Sequence, residues 1–237
     1  MKRYLLALVG ASAVAFGLGG AAKATESAPS VRLAESTMIV EVNATDGDAG
    51  LQVFLDGEPW RSMRVTGPDG RTILDVTTRE RLDDYGLTEL FSESSEPPFD
   101  VFPLERFKQL FPAGRYSFIG RTIEGVRLTG SATLSHAIPA GPRIVAPRDG
   151  SRVGRAGLVG RWRPGVQPAA VDIVAYRAIV TTETPRLRVL SADLPVSARH
   201  VEIPQAFLAT RGEYKLEVQA IERSGNQTLT EVSFRVR

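Results

Sequence analysis

Short runs in which apolar and polar side chains alternate constrain the fold of this sequence more than any other feature. Apolar side chains occupy every second position of residues 38–42 and again of residues 51–55. Turn-forming sequences separate the runs, among them Asp56-Gly57 and Pro68-Asp69-Gly70. A period of two over about five residues is the signature of a half-buried strand. The first half of the chain is therefore predicted to be a β-meander.

Two segments depart from this alternation. Residues 80–100 are rich in charge and end in Pro97-Pro98, which predicts a long surface loop because proline cannot donate to a sheet. Residues 103–111 are predicted to form one short helix, since Pro103 suits its first turn and Pro112 ends it. The apolar stripe of this helix consists of Leu104, Phe107, Leu110 and Phe111.

A weak internal repeat relates the two halves. Gly114-Arg115-Tyr116 and Gly212-Glu213-Tyr214 each begin a strand after an apolar-proline pair and a phenylalanine. In sandwich folds a tyrosine at such a corner often turns its hydroxyl back to the upstream backbone. We interpret the halves as domains of related topology, residues 37–138 and 140–237, that pack against each other across a short, stiff linker. Ile138 and Ile144, beside that linker, are expected to supply the apolar contact.

The last hundred residues carry a more specific pattern. Its parts are Pro142–Pro147, Leu158–Pro164 with Trp162, Ile173–Tyr176, Val201–Pro204, Gly212–Val218 with Tyr214, and Gly225-Asn226. In these features residues 142–237 resemble a fibronectin type III domain, with a longer loop at residues 166–171. The resemblance implies a sandwich fold, and it leaves function open because unrelated functions share this scaffold. The predicted fold class is all-β: two tandem immunoglobulin/fibronectin III-like β-sandwiches with one short helix.

The first 24 residues have the layout of a secretory signal peptide. Lys2 and Arg3 precede an apolar run, and Ala22-Lys23-Ala24 resembles a cleavage site. The alternative is an uncleaved anchor, although the run is shorter than the ~20 residues that a spanning helix needs. We expect a periplasmic or secreted protein that is not integral to the membrane after cleavage.

Composition narrows the classes of function. The sequence has no cysteine, so neither a lipid-modified lipoprotein nor a disulfide framework is expected. Residues 25–138 carry a net charge of −7 and residues 139–237 a net charge of +6. This asymmetry indicates solvated strand faces of differing composition, attraction between the domains, or an acidic and a basic face for two partners. No basic run is interleaved with aromatic residues, so nucleic-acid binding is not expected.

Candidates for catalysis are few. His136 and His200 are the only histidines, and neither has the neighbours that a nucleophilic or zinc site requires. Asp83-Asp84 and the pair Glu93 and Glu96 are interpreted as solubilising charge. We therefore predict no catalytic, cofactor-binding or metal-binding residues and no cofactor.

Two further features have a structural and a functional interpretation. The segment Asn43–Gly50, with Asp46 and Asp48, offers oxygen ligands on a glycine-bearing turn, as calcium prefers, but Asx-Gly is also ordinary turn chemistry. Trp60 with Arg61 is either an exposed binding anchor or a side chain folded over the end of the sandwich.

Two functions remain open. The first is an exported, non-enzymatic binding protein of the cell envelope with a protein or glycan partner. The alternative is a hydrolase of envelope polymers, or an accessory carbohydrate-binding module. A cleft in which Asp83, Asp84, Glu89 or Glu93 faces Asp46 or Asp48 would mark the hydrolase.

Overall fold

The computed structural model describes residues 29–182, 187–209 and 211–237, so the predicted signal peptide lies outside the described residues. These residues form fifteen strands and two short helices. In chain order the elements are β1 (Ser30–Arg32), β2 (Glu35–Asn43), β3 (Asp48–Thr66), β4 (Thr72–Thr77), α1 (Arg81–Tyr85), β5 (Leu87–Glu93), α2 (Leu104–Leu110), β6 (Gly114–Thr122), β7 (Arg127–Leu134), β8 (Arg143–Ala146), β9 (Ser151–Val153), β10 (Val159–Arg163), β11 (Ile173–Thr182), β12 (Arg188–Pro195), β13 (His200–Glu202), β14 (Gly212–Glu222) and β15 (Gln227–Val236).

The first unit is organised around the long strand β3. Its residues 48–56 pair with β2 and β5, and its residues 60–66 pair with β4 and β6. The register shifts between Asp56 and Trp60, where the strand passes from one set of partners to the other. The sheet thus folds over on itself and encloses a core that includes Trp60, Met63 and Phe118.

The second unit has two distinct sheets. The three-stranded sheet β13-β10-β8 covers one face of the strands β15, β14, β11 and β12. Trp162 and Tyr176 meet in the core between them with ring centroids 5.7 Å apart, and Tyr214 stacks on Phe234. Buried and half-buried residues alternate along β11, as the sequence pattern predicted.

The all-β class with two tandem sandwiches is confirmed, and two details of the prediction are wrong. Residues 80–100 contain α1 and the edge strand β5, which pairs with β3, where a loop was expected. All side chains of β5 are exposed or half-buried, so its strand pattern in the sequence is weak. There are therefore two helices; the predicted one is α2, which buries Phe107. The first core draws on residues from Leu33 to Ile138 and the second on residues from Ile144 to Val236, while the domain bounds stay a prediction.

The tyrosine at the corner of the first unit behaves as expected. Tyr116 is fully buried, and its hydroxyl donates a hydrogen bond to the carbonyl oxygen of Pro112, 3.0 Å away. Burial raises the pKa of Tyr116 to about 12, with a smaller contribution from Asp69. The hydroxyl of Tyr214 accepts a hydrogen bond from Arg188 at 3.0 Å.

Replacing Tyr116 with phenylalanine tests this corner. We expect Tyr116→Phe to lower the free energy of unfolding by about 1 kcal/mol, because it removes one buried hydrogen bond and little volume. Chemical denaturation measures the loss. Tyr85→Phe is the matched control, since Tyr85 is 84% exposed and should show no change. Equal effects of the two substitutions would contradict the role of the corner.

Candidate functional site

The two units are joined by main-chain pairing between β2 and β15. Glu41–Asn43 lies parallel to Gln227–Leu229, so one sheet continues from the first unit into the second. Beyond β2, the amide of Ala44 donates to the carbonyl of Leu229 at 2.9 Å. Backbone hydrogen bonds of this kind fix both the spacing and the direction of the two units.

The side chain of Asn226, in the second unit, forms hydrogen bonds with the first unit at this junction. It is 1% exposed, and its side-chain oxygen accepts a hydrogen bond from the amide of Val40 at 2.8 Å. Its side-chain nitrogen donates to the carbonyl oxygens of Ser135 and Ala137 at 3.0 and 3.2 Å. One buried side chain therefore holds both β2 and the segment that leads into the linker.

Two linker residues, Ala140 and Gly141, lie close against residues of the second unit. The side chain of Gln167 accepts from the amide of Ala140 at 2.8 Å and donates to its carbonyl at 3.2 Å. A Cβ at Gly141 would lie 2.8 Å from Oγ1 of Thr230, so this position has room only for glycine. The apolar residues Ile138 and Ile144 pack instead into the separate cores of their own units. The hydrogen bonds described above join the units, whereas these isoleucines, expected to supply an apolar contact at the junction, pack within their own units.

An acidic cluster lies beside the junction, on the outer face of β2 and β3. Carboxylate oxygens of Glu41, Glu93 and Glu96 all lie within 4.8 Å of one another. The register places Glu41 opposite Gly50 and Gln52 opposite Glu93. The segment after β5 folds Glu96 over Gly50, where an added Cβ would clash with Oε1 of Glu96. The missing side chain of Gly50 therefore makes room for the third carboxylate.

The cluster concentrates negative charge. Burial raises the pKa of Glu41 to about 7, opposed by the hydrogen bond from Gln227 and reinforced by Glu93, Glu96 and Glu217. Burial also raises the pKa of Glu96, together with Glu93 and Asp48. Burial, Asp46 and Glu231 raise the pKa of Asp48.

No cation neutralises the cluster within the described ranges. There, no lysine or arginine nitrogen lies within 4.0 Å of a carboxylate of Glu41, Glu93 or Glu96. The neighbouring acids differ, since Lys215 pairs with Glu217 and with Glu231 at 3.0 Å each. The three clustered carboxylates thus have no positively charged partner of the kind that Lys215 provides for Glu217 and Glu231 in the second unit.

Replacing Glu41 with glutamine should stabilise the chain above neutral pH. The folded state holds a proton on Glu41 up to about pH 7, whereas the ordinary value is 4.5, so stability falls as the pH rises between these values. Because Glu93 and Glu96 are exposed, we discount this cost and expect Glu41→Gln to gain about 2 kcal/mol above pH 7 and little below pH 4.5. Urea unfolding in chelator across this range measures the gain.

Glu89→Gln is the control for this prediction. Glu89 lies on the same strand as Glu93, four residues earlier, or about 13 Å along the strand. An identical pH dependence of the wild type and Glu41→Gln would contradict the buried charge at Glu41.

The other acidic and histidine candidates are scattered. The Nε2 of His136 lies 2.8 Å from the carbonyl oxygen of Phe111, and His200 is exposed on β13. Asp83 lies on α1 and accepts a hydrogen bond from Thr78 at 2.6 Å. Asp46 accepts from the side chain of Asn43, which closes an ordinary Asx turn. Among the described residues, Glu93 is therefore the one acid named for a hydrolase cleft that belongs to the three-carboxylate cluster.

Trp60 is not a surface anchor. It is 0% exposed in the core of the first unit, and its indole nitrogen lies 3.4 Å from the carbonyl oxygen of Thr88. The hypothesis of an exposed binding residue is wrong, and Trp60 lies inside the core, whereas the alternative placed it over the end of the sandwich.

Comparisons with known proteins give matches among solved structures. The chain is similar to a two-domain fibronectin type III segment of chicken tenascin, with 9% identity over 86% of this chain and 98% of that one and a TM-score of 0.30. It is also similar to the FN1–FN3 domains of chicken CNTN1 (10% identity, 88% and 65% coverage, TM-score 0.37). A third match is a tetra-tandem repeat from the extending region of a large adhesion protein (14% identity, 86% and 50% coverage, TM-score 0.29).

The chain spans half of the length of the adhesion-protein structure and about two thirds of that of the CNTN1 structure. Fibronectin type III structures are thus among those it resembles, as its sequence predicted. No family model and no curated protein matches the chain. In the described ranges, no helix is long and apolar enough to cross a lipid bilayer.

Proposed function

We propose that this chain is an exported, non-enzymatic interaction protein of the cell envelope that binds a protein or glycan partner. The observation that carries the proposal is the hydrogen-bonded junction between the two sandwiches, in which β2 pairs with β15 and Asn226 holds the linker segment. A fixed junction keeps the loops and sheet edges of both units in one arrangement. Preorganised surfaces of this kind lower the entropy cost of binding a partner.

The distribution of reactive groups supports a role without catalysis. A nucleophilic mechanism needs a base beside the nucleophile, whereas Nε2 of His136 is engaged by a backbone carbonyl and His200 lies exposed on another sheet. Asp83 and Asp46 are engaged in local turn and helix contacts. These groups do not converge on a common point.

One observation favours a second candidate, a hydrolase of envelope polymers. Glycosidases use two carboxyl groups, and retaining enzymes place them about 5 Å apart, with the pKa of one raised. A carboxylate oxygen of Glu41 lies within 4.8 Å of one of Glu93, and the pKa of Glu41 is raised to about 7. However, Glu41 accepts hydrogen bonds from Gln227 and Gln219 of the second unit, so its carboxylate is directed at amides of the junction.

The two candidates are separated by one pair of assays on the full chain purified from the envelope fraction. We expect no turnover of a panel of envelope glycans and peptides, and saturable binding to one component of that panel in surface plasmon resonance. Turnover that Glu41→Gln abolishes and Glu89→Gln preserves would overturn the proposal in favour of the hydrolase. Recovery of the chain only from the cytoplasmic fraction would overturn the envelope location.

A further inference from the structure

We propose that a cavity on the outer face of β3, β4 and β6 binds an acidic sugar, with Arg121 and Arg127 holding the sugar carboxylate. The proposal rests on the function proposed above and deepens it, because it names the chemical class of the glycan partner. The cavity has a volume of about 410 Å³, which lies in the range of small-molecule sites. It shares no lining residue with the cluster of Glu41, Glu93 and Glu96.

Strand alternation builds one wall of this cavity. Met63 and Val65 of β3 are buried in the core of the first unit. The alternate residues Ser62, Arg64 and Thr66 therefore lie on the outer face of the sheet, because successive side chains of a strand point to opposite faces. All three line the cavity. β3 thus contributes two hydroxyl groups and one guanidinium to it.

Two arginines face each other at one side of the cavity. The register of β6 and β7 places Arg121 opposite Arg127, and the Cβ atoms of such pairs lie about 5 Å apart. Both side chains are exposed, and Nη1 of Arg121 donates a hydrogen bond to the carbonyl oxygen of Gly125 at 3.1 Å. Like charges in directly opposite positions repel each other and destabilise the sheet.

No ion pair offsets this repulsion within the described ranges. There, no carboxylate oxygen lies within 4.0 Å of a nitrogen of Arg121 or Arg127. The pair belongs to residues 25–138, whose net charge is −7, so a basic composition does not account for it. A carboxylate bound between the two guanidinium groups would remove the repulsion, and their planar forks match the geometry of its two oxygens.

The rest of the lining suits the hydroxyl groups and the ring of a sugar. Arg64 donates through Nε and Nη2 to one oxygen of Asp75, Oδ2, at 2.8 and 2.6 Å. The other oxygen of this carboxylate can accept a hydrogen bond from a sugar hydroxyl. Ser62 and Thr77 lie opposite each other and add two hydroxyl groups that both donate and accept. Ile119, 42% exposed, offers an apolar surface to the C–H groups of the ring.

The same lining disfavours other anionic partners. Among the described residues no aromatic side chain lines the cavity, whereas sites for single-stranded nucleic acid stack bases on aromatic rings. A lipid surface needs a broad apolar face, and Ile119 is the one exposed large hydrophobic residue of the described lining. An extended peptide adds to a free sheet edge, whereas β3 and β6 pair with each other beneath the cavity.

Oligosaccharides of galacturonate and of glucuronate test the site by isothermal titration calorimetry with the full chain. The methyl ester of each probe is the uncharged control, because it keeps the sugar and removes the anion. We expect saturable binding of at least one acid probe and at least about tenfold weaker binding of its ester, since hydrogen bonds to charged groups are the stronger ones. Added salt should weaken binding of the acid probe, because exposed charges are screened.

Substitutions locate the site on the protein. Arg121→Gln and Arg127→Gln should each weaken binding of the acid probe at least about tenfold, and Arg127→Lys should weaken it less, because lysine keeps the charge without the fork. Arg115→Gln is the matched control and should bind as the wild type does. Arg115 is exposed on the same strand, six residues or about 20 Å before Arg121. All three arginines are exposed, so the fold is not at risk, and circular dichroism verifies it.

The outcomes separate this site from the function on which it rests. The site is overturned if neither acid probe binds at millimolar concentration, if the esters bind equally well, or if Arg121→Gln and Arg127→Gln bind as Arg115→Gln does. Oligoglutamate that binds as tightly as the acid sugars, with the same sensitivity to Arg121→Gln, would replace the sugar by an acidic peptide and overturn the proposal. An envelope component that binds the wild type and the variant with both substitutions alike would overturn the site and keep the proposed function.

Discussion

Trp60→Ala is expected to lower the free energy of unfolding by ~3–5 kcal/mol, the range for removing a large aromatic side chain from a core. Trp60 is 0% exposed and lies where β3 passes from one set of partner strands to the other. Its indole therefore fills the space between both halves of the first unit, and alanine would leave a cavity there. Denaturant titration followed by far-ultraviolet circular dichroism measures the loss.

Trp162→Ala provides the comparison within the second unit. Trp162 is 2% exposed and packs on Tyr176, so a loss in the same range is expected. Trp60→Phe is the conservative control, because it keeps an aromatic ring in the cavity and should lose less. A cost below about 1 kcal/mol for Trp60→Ala, as at surface positions, would contradict the burial of Trp60.

The ambiguity of Trp60 in the sequence has a physical cause. Asp56-Gly57 is a common turn pair, so Trp60 was expected just beyond a turn. In the structure β3 continues through Gly57, where a Cβ would lie 2.8 Å from Cδ2 of Leu33. Gly57 thus permits a close approach between chain segments, and a local turn rule does not distinguish that role from a turn.

The strands of the second unit were easier to predict. Along β14, core residues such as Tyr214, Leu216 and Val218 alternate with more exposed ones, because one face meets the opposite sheet. Period-two alternation records this burial directly in the sequence. The edge strand β5 has no fully buried residue, so it left no comparable pattern.

The acidic cluster could not be predicted from local pattern. Glu41 occupies an ordinary polar position of an alternating strand, and Glu93 and Glu96 resemble solubilising charge. Their proximity depends on the pairing of β2, β3 and β5, and the hydrogen bond of Glu41 with Gln227 spans 186 residues. A short window of sequence does not encode such long-range register. Gly50, which pairs with Glu41 and leaves room for Glu96, is the one nearby residue in the sequence that reflects the cluster.

Asn226→Ala is expected to cost about 3 kcal/mol and to loosen the junction between the sandwiches. The substitution leaves the amide of Val40 and the carbonyls of Ser135 and Ala137 without their buried partner, and each unsatisfied group costs about 1–3 kcal/mol unless water reaches it. Thermal unfolding followed by calorimetry should change from one cooperative transition toward two. Asp69→Ala is the control, because the hydrogen bond that Asp69 accepts from the amide of Arg71 is exposed and its loss should cost less than about 1 kcal/mol.

Asn226→Asp separates hydrogen bonding from packing at this position. The carboxylate can still accept from Val40, but its second oxygen faces the carbonyls of Ser135 and Ala137, where a donor is required. We therefore expect Asn226→Asp to be as disruptive as Asn226→Ala at neutral pH. An aspartate variant as stable as the wild type would contradict the role of the side-chain amide.

Salt dependence distinguishes this junction from one held by charge. The opposite net charges of −7 and +6 attract, but such attraction is screened beyond about 10 Å at 0.1 M salt. Buried hydrogen bonds and strand pairing are not screened in this way, so small-angle scattering of the wild type should give the same compact particle at low and high salt. Asn226→Ala should give a broader ensemble at both. A wild type that expands as salt is added would show that charge, rather than the pairing of β2 with β15, holds the two sandwiches together.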